Sequence, residues 1–180
     1  MSRIHLTATL VLTSLVLLAP AARGSEAHSF TLAVMGGAGG FFDADPDGGL
    51  GNQALQVSLG VVVESDTLVV LRIGQLDQDP EGQFAALGGG TLAWVDVAGE
   101  YRLRQPIEDA GIYAGLGAYR FEGDAPGASD DTSIGAVIGL TGAFDLTPRW
   151  AILVDLSAHY ADLEVAQTFG IATAGVAFSF

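Results

Sequence analysis

The sequence contains no cysteine and no lysine, and its seven basic residues are all arginines. The absence of cysteine excludes disulfides, thiolate metal sites, c-type haem attachment and a lipid-modified N-terminal cysteine. The seven arginines stand against 21 acidic residues, which gives a net charge of −14. Because no basic patch is available to neutralise phosphates, the composition excludes nucleic acid as a partner.

Long apolar runs are missing after residue 27, although 49% of the residues are hydrophobic. Before that point, Arg3 precedes an apolar stretch at 10–19, and small residues at 19–21 and 25–27 fit the signal-peptidase cleavage rule. Such a stretch is too short for a membrane-spanning helix, which needs ~20 residues, and its length is typical of a signal peptide. We predict a cleaved signal peptide at 1–27, with cleavage after Ala27 or Ala21, and one exported domain at 28–180.

The rest of the chain alternates apolar residues with polar residues and glycines. Leu55, Val57 and Leu59, for example, alternate with Gln56 and Ser58. This period of two is typical of β-strands. The pattern predicts eight strands, near 29–39, 53–63, 67–75, 91–103, 111–121, 133–144, 150–160 and 168–180. One face of these strands is apolar and the other carries the mid-strand charges. The period alone does not say which face points outward, so a soluble lipocalin-like barrel with the reverse polarity stays open.

The predicted connections alternate between long and short. The longer ones, at 41–52, 76–88, 122–132 and 161–166, are polar and acidic, and the tighter ones lie at 64–66, 104–109 and 145–149. This alternation is typical of outer-membrane barrels. In lipid every backbone polar group must be paired, so a spanning sheet must close. We therefore predict an all-β, eight-stranded antiparallel up-and-down transmembrane β-barrel, a monomer with its longer loops outside the cell.

The last residues resemble the C-terminal assembly signal of outer-membrane proteins. That signal has a polar residue, a glycine and two aromatic residues, and Thr173, Gly175, Phe178 and Phe180 occupy the four positions. An edge strand with interfacial aromatics is what a strand-pairing machine would recognise. The barrel-assembly machinery is therefore an expected partner.

With these features, and with the segments 111–121 and 144–150, the chain resembles the small outer-membrane barrels of the OmpA, OmpX and OmpW type. The resemblance covers the whole exported domain. It implies integration into a bacterial outer membrane, among lipid and lipopolysaccharide. It does not imply one activity, because members of such a fold differ in function.

Two of the long loops share the form Asp-x-Asp-Pro-(Asp/Glu)-Gly. Their acidic residues are Asp43, Asp45 and Asp47 in the first loop, and Asp77, Asp79 and Glu81 in the second. Alternating carboxylates before a glycine can hold a hard cation such as Ca²⁺ or Mg²⁺. The EF-hand pattern is not met, because its twelfth position, counted from Asp43, is Ala54. The alternative is a solvated acidic turn that proline and glycine bend.

Charged residues on the inward face form a second candidate set. Its members are Arg72, Asp96, Glu100, Arg102 and Asp155. An eight-stranded barrel is just wide enough for its side chains to fill it, and buried charges must pair. We expect Arg72 to pair with Asp96 or Asp155 and Arg102 to pair with Glu100, as a structural plug. The alternative is a narrow or gated pore.

Asp155, Ser157 and His159 lie on the same face of the seventh predicted strand. An acid, a hydroxyl and an imidazole suggest a hydrolase. Residues two apart on a strand are ~6.5–7 Å apart at Cα, so a hydrogen bond between the serine and the histidine needs favourable side-chain geometry. We interpret the three residues as polar filling of the lumen.

Three functions follow from these observations. The first is a non-enzymatic protein that contributes to outer-membrane structure and to surface interactions through its acidic loops. The alternative is a narrow passive conduit for small hydrophobic molecules, as resemblance to OmpW-type proteins would imply. The third is a lipid-modifying barrel enzyme. No cofactor is expected, apart from the Ca²⁺ or Mg²⁺ considered for the loops.

Overall fold

The computed structural model of the chain describes residues 30–42, 51–80, 82–103, 110–128 and 130–180. The predicted signal peptide lies outside these ranges. Asp43, Asp45, Asp47 and Glu81 lie outside them too. The cleaved segment and these four loop acids therefore stay predictions.

Eight strands follow one another along the chain. They are β1 (Phe30–Phe41), β2 (Asn52–Glu64), β3 (Thr67–Gln78), β4 (Gly90–Leu103), β5 (Ala110–Gly123), β6 (Asp131–Asp145), β7 (Trp150–Ala161) and β8 (Thr168–Ser179). Each strand pairs antiparallel with the next, and β8 pairs with β1, so the sheet closes. The predicted up-and-down barrel is confirmed. A short 3-10 helix, Gly82–Leu87, lies between β3 and β4.

Seven of the eight strands are longer than the alternation alone predicts, and β8 ends one residue earlier. β3 continues to Gln78, and Asp77 and Gln78 pair with Thr91 and Gly90 of β4. Strands of 12 to 15 residues exceed the ~9–11 that cross the hydrocarbon of a bilayer. The ladder therefore extends into water, where polar residues continue the pairing that the apolar residues began.

The outer face of the barrel is apolar and the inner face carries the charges. Exposed apolar side chains occur on every strand; they include Val34, Leu55, Val69, Ile73, Val95, Val97, Ile112, Leu116, Ile134, Ile138, Leu140, Leu156 and Val176. A soluble lipocalin-like barrel would expose polar residues instead. The polarity is that of a transmembrane barrel. None of the helices among the described residues is long and apolar enough to cross a membrane.

Aromatic side chains mark both ends of this apolar band. We call the end with the connections 42–51, 79–89, 124–130 and 162–167 the loop end, and the other the terminal end. Exposed Phe42 and Tyr160 lie at the loop end, and exposed Tyr101, Phe144 and Trp150 at the terminal end. Two such girdles are typical of barrels that span a membrane.

At the terminal end, the two ends of the described chain pair with each other. Phe30 N donates to the carbonyl of Phe180 at 3.0 Å, and Phe180 N donates to the carbonyl of Phe30 at 2.9 Å. The two rings stack with centroids 5.8 Å apart. The last residue therefore belongs to the β1–β8 seam.

Apolar side chains from the loops close the loop end. The loops at 76–88 and 161–166 were predicted to be polar, yet Phe84, Leu163 and Ala166 are buried in one cluster with the strand residues Phe121 and Phe169. These loop residues are buried because they cover the aromatic lining at the mouth of the barrel, which would otherwise be exposed to water. Exposed acidic side chains such as Asp79, Asp162 and Glu164 match the polar prediction.

Candidate functional site: the layered lumen

The lumen contains three successive layers of side chains. The aromatic layer at the loop end contains Phe41, Phe84, Phe121 and Phe169. The middle layer contains Gln56, Trp94, Tyr119 and His159, and the charged layer contains Arg72, Asp96, Glu100, Asp155 and Tyr113. The register produces this order, because Leu76, Gly74 and Arg72 of β3 face Leu92, Trp94 and Asp96 of β4 in turn.

Arg72 is the centre of the charged layer and is only 2% exposed. Its Nη1 lies 3.4 Å from Asp96 Oδ1, and its Nη2 lies 3.7 Å from Glu100 Oε2. Its Nε lies 3.8 Å from Asp155 Oδ2. One guanidinium therefore faces three carboxylates, which compensates for the cost of burying it.

Tyr113 completes the charged layer. The guanidinium carbon of Arg72 lies 3.6 Å from the centroid of the Tyr113 ring, and the Tyr113 hydroxyl donates to Asp155 at 3.0 Å. A glycine on the neighbouring strand makes room for the ring, because a β-carbon on Gly139 would overlap it. Thr141 Oγ1 donates to Glu100 Oε1 at 3.1 Å.

The predicted inward charges are thus brought together with one exception. Arg72 contacts both Asp96 and Asp155, the two partners considered for it. Among the ion pairs of the described residues, Glu100 belongs to Arg72, not to Arg102 as expected. Arg102 lies further toward the terminal end of β4 and is exposed. Water solvates Arg102 there, whereas Arg72 in mid-barrel needs carboxylates.

Ser157 and His159 are hydrogen-bonded, although residues two apart on a strand need favourable side-chain geometry for such a bond. His159 Nε2 lies 2.9 Å from Ser157 Oγ, and Nδ1 lies 3.1 Å from the Tyr119 hydroxyl. The imidazole is long enough to reach back along the strand, and it stacks on Phe169 with centroids 4.6 Å apart. Asp155 instead accepts from Tyr113. The acid, imidazole and hydroxyl therefore do not form a relay.

Several buried polar atoms of the middle layer have no hydrogen-bond partner among the described residues. They are Gln56 Oε1 and Nε2 and Trp94 Nε1; in the charged layer, Asp96 Oδ2 is also without one. The Trp94 ring covers Gly74, where a β-carbon would overlap the indole. Gln56 pairs with the other side of Gly74. Gln56 on β2 and Trp94 on β4 are therefore the cross-strand neighbours of the same glycine.

A small cavity with a mixed polar and apolar lining lies beside Arg72 on the side of the terminal end. It has a volume of about 40 Å³, and Ser58, Glu100, Arg102 and Thr141 contribute to its lining. The aromatic, middle and charged layers lie between this cavity and the loop end. Their largest side chains, among them Tyr119, Phe121 and Phe169, are almost completely buried. The lumen is therefore packed at the loop end and roomier toward the terminal end.

Two of the six predicted cation ligands are described. Asp77 Oδ1 accepts a hydrogen bond from Thr91 Oγ1 at 3.4 Å, and Asp79 N donates to Asn52 Oδ1 at 3.2 Å. Within the described ranges, no group of three or more His, Asp or Glu side chains is placed to hold a metal ion. The cation site stays a prediction, because its other four residues lie outside those ranges.

The residues of the predicted assembly signal lie at the β1–β8 seam. A β-carbon on Gly175 would overlap the carbonyl of Val34 on β1. The Phe178 ring lies 4.8 Å from Trp150 and 6.0 Å from Phe180, measured between centroids. The signal itself stays a prediction.

No family model and no curated protein matches the chain. Among solved structures, the chain is similar to the N-terminal β-barrel domain of Pseudomonas aeruginosa OprF, with 20% identity, a TM-score of 0.57, and coverage of 85% of this chain and 98% of that one. Neisserial surface protein A gives 13% identity, a TM-score of 0.59, and coverage of 87% and 100%. Yersinia pestis Ail gives 16% identity, a TM-score of 0.54, and coverage of 86% and 100%.

These likenesses define the fold, which is that of the small eight-stranded outer-membrane β-barrels. The resemblance inferred from the sequence is confirmed at this level. The closed sheet, the apolar exterior and the two aromatic girdles make the chain an integral protein of a bacterial outer membrane.

Proposed function

We propose that this chain is a non-enzymatic outer-membrane protein that contributes to membrane structure and to surface interactions through its acidic loops. In this proposal the barrel is a monomer, the barrel-assembly machinery inserts it, and its loop end meets lipopolysaccharide outside the cell. The observation that carries the proposal is the packed lumen. Phe84 and Arg72, in two separate layers, are each only 2% exposed.

The packed lumen disfavours the conduit. A passing hydrophobic molecule would first have to displace the aromatic layer. It would then meet a buried guanidinium held by three carboxylates. Apolar solutes gain nothing there, and separating one partner from a buried ion pair is costly.

The position of Ser157 disfavours a lipid-modifying enzyme. Ser157 is 9% exposed and points into the lumen, whereas lipid substrates lie against the outside of the barrel wall. The second nitrogen of His159 faces the Tyr119 hydroxyl and not a carboxylate, so no anion stabilises a positive imidazole there.

The loop end supplies the surface chemistry. Its described acidic residues are Asp77, Asp79, Glu122, Asp124, Asp130, Asp131, Asp162 and Glu164. Exposed Arg120 is tied to two of them, with Nη2 2.7 Å from Glu122 Oε1 and 2.6 Å from Asp130 Oδ2. Ail has been solved with the heparin analogue sucrose octasulfate. For the acidic loop end of this chain, we propose instead contact with anionic lipopolysaccharide through bridging divalent cations.

Conductance across a planar bilayer tests the proposal directly. The purified folded barrel is added to one side, and a general porin serves as the positive control. We expect the wild-type protein to give no steady channel events, because both layers block the lumen. Regular, concentration-dependent channel steps from the wild-type protein would show an open conduit and overturn the proposal.

A second experiment addresses enzyme activity. Wild-type protein and Ser157→Ala are each overproduced, and outer-membrane lipids are compared by mass spectrometry. We expect identical lipid profiles, because Ser157 serves as a hydrogen-bond partner of His159. Acyl-chain loss that depends on Ser157 would establish a lipid-modifying enzyme.

A further inference from the structure

The aromatic layer is completed by a ring that belongs to no strand. Phe84 lies on the 3-10 helix Gly82–Leu87, and its ring centroid is 5.1 Å from Phe41 and 5.6 Å from Phe121. Phe41 in turn lies 5.4 Å from Phe169. The strands thus form an aromatic cup, and a loop inserts one phenyl ring into it.

Among the described residues, two backbone hydrogen bonds join the loop that carries this ring to the loop that follows β5. Leu87 O accepts from Ala125 N at 2.7 Å, and Gly89 O accepts from Asp124 N at 3.3 Å. Gly88 and Gly89, with φ of 72° and 86°, adopt the left-handed conformation with which the segment turns into β4. The segment can therefore leave the cup without breaking any ladder of the barrel.

Unused hydrogen-bonding groups lie in the layer below the cup. Trp94 belongs to the same apolar cluster as Phe84, and its ring centroid lies 6.4 Å from that of Phe169. Its Nε1 and both amide atoms of the adjacent Gln56 are buried without a partner among the described residues. Buried polar groups are normally paired, so these three atoms point to a partner that is not a side chain of the described barrel.

We propose that the cup is a binding site for small amphipathic aromatic molecules. The ring of such a molecule takes the seat of Phe84, and a hydroxyl group accepts from Trp94 Nε1 and donates to Gln56 Oε1. The buried Arg72 cluster lies beneath, so the site is a blind pocket and not a passage. The proposal is independent of the surface role above, because it needs only the loop to open.

The two tryptophans allow a direct test by nuclear magnetic resonance. Trp94 lies in the lumen, and Trp150 is 48% exposed on the outer face. The ¹⁵N-labelled, folded barrel in detergent micelles is titrated with 4-fluorophenol, and Trp150→Phe assigns the two indole N–H signals. We expect a saturable downfield shift of the Trp94 signal, because its N–H gains an acceptor. Fluorobenzene, which lacks the hydroxyl, should not cause this downfield shift.

Variants of two phenylalanines supply the competition test. Phe84→Ala empties the seat and should lower the half-saturating concentration by about tenfold, which corresponds to ~1.4 kcal/mol. Phe42→Ala removes a ring outside the barrel and should leave it unchanged. If Phe84→Ala does not fold, Leu87→Ala keeps the ring, loosens its segment and should also lower the half-saturating concentration.

Three results would overturn the proposal. The first is a Trp94 indole N–H signal that does not shift during the titration with 4-fluorophenol, either in the wild type or in the folded Phe84→Ala variant. The second is an equal downfield shift with fluorobenzene. The third is a half-saturating concentration of 4-fluorophenol that neither Phe84→Ala nor Leu87→Ala lowers. The same holds if Phe42→Ala lowers it as much as they do.

Discussion

The guanidinium carbon of Arg72 lies 3.6 Å from the centre of the Tyr113 ring, and the hydroxyl of the same tyrosine donates to Asp155. Tyr113 thus contacts both the buried cation and one of its carboxylates. The ring face attracts the positive charge, while the hydroxyl holds an acid that would otherwise be free to turn away. Arg72, its three carboxylates and Tyr113 therefore act as one unit in the middle of the barrel.

Removing the cation of this unit should strongly destabilise the barrel. Arg72→Leu leaves three buried carboxylates without their partner, and breaking a buried ion pair typically costs about 3–5 kcal/mol. The measurement is urea unfolding in lipid vesicles, followed by tryptophan fluorescence. The control is Arg120→Leu, because Arg120 is 53% exposed and its ion pairs are solvated, so little change is expected. Equal stability of Arg72→Leu and wild type would contradict a cation-centred unit.

Two glycines on β6 form a matched pair for testing whether the Tyr113 ring needs the space beside a glycine. A β-carbon on Gly139 would overlap the tyrosine ring, whereas one on Gly142 would meet nothing within 4 Å. Gly139→Ala should therefore destabilise the barrel by about 1–3 kcal/mol, the usual cost of overpacking. Gly142→Ala should have little effect in the same unfolding assay. The interpretation fails if both substitutions behave alike.

Deleting Phe180 should lower the yield of folded barrel in the outer membrane while export continues. The deletion removes two backbone hydrogen bonds to Phe30 and a stacked ring at the β1–β8 seam. Folded protein is measured by its faster migration on unboiled gels. Phe144→Ala removes another exposed aromatic at the same end and should change the yield much less. Normal insertion of the deletion variant would show that the terminal match to the assembly signal is incidental.

Divalent cations should protect the loops from proteolysis. Carboxylates crowd the loop end, where like charges repel over the ~10 Å screening length at 0.1 M salt. Millimolar Ca²⁺ or Mg²⁺ should reduce this repulsion and slow cleavage, and a chelator should restore it. The control is sodium chloride at matched ionic strength. If it protects as well as calcium, the acidic turns around Asp77 and Asp79 are only solvated.

The fold could be predicted because the alternation of apolar and polar residues can be recognised in each strand separately. Alternation such as that of Leu55 and Gln56 is local, and the lipid environment explains why the apolar face points outward. Strand ends such as Gln78 were missed, because beyond the membrane the ladder needs no apolar residues. Phe84 was missed for a related reason: one phenylalanine in a polar loop shows no period, and its burial depends on the mouth of the assembled barrel.

The charged layer was predictable in composition and only partly in pairing. The partners Asp96 and Asp155 follow from charge and face, but the pairing of Arg72 with Glu100 depends on how deep each side chain lies. The placement of Tyr113 depends on Gly139 of the next strand, which only the register reveals. An inward aromatic residue opposite an inward glycine is a signal that could have located it.

The β1–β8 seam also limits when the protein can fold. β1 pairs with β8, the last of the eight strands along the chain, through Ser179, and Phe30 bonds to Phe180. Until β8 has been synthesised, β1 therefore has no partner on one of its sides. Every backbone group on that side must stay out of the hydrocarbon until β8 arrives, since an open edge cannot rest in lipid. The closed barrel can therefore be completed in the membrane only after β8 has been made.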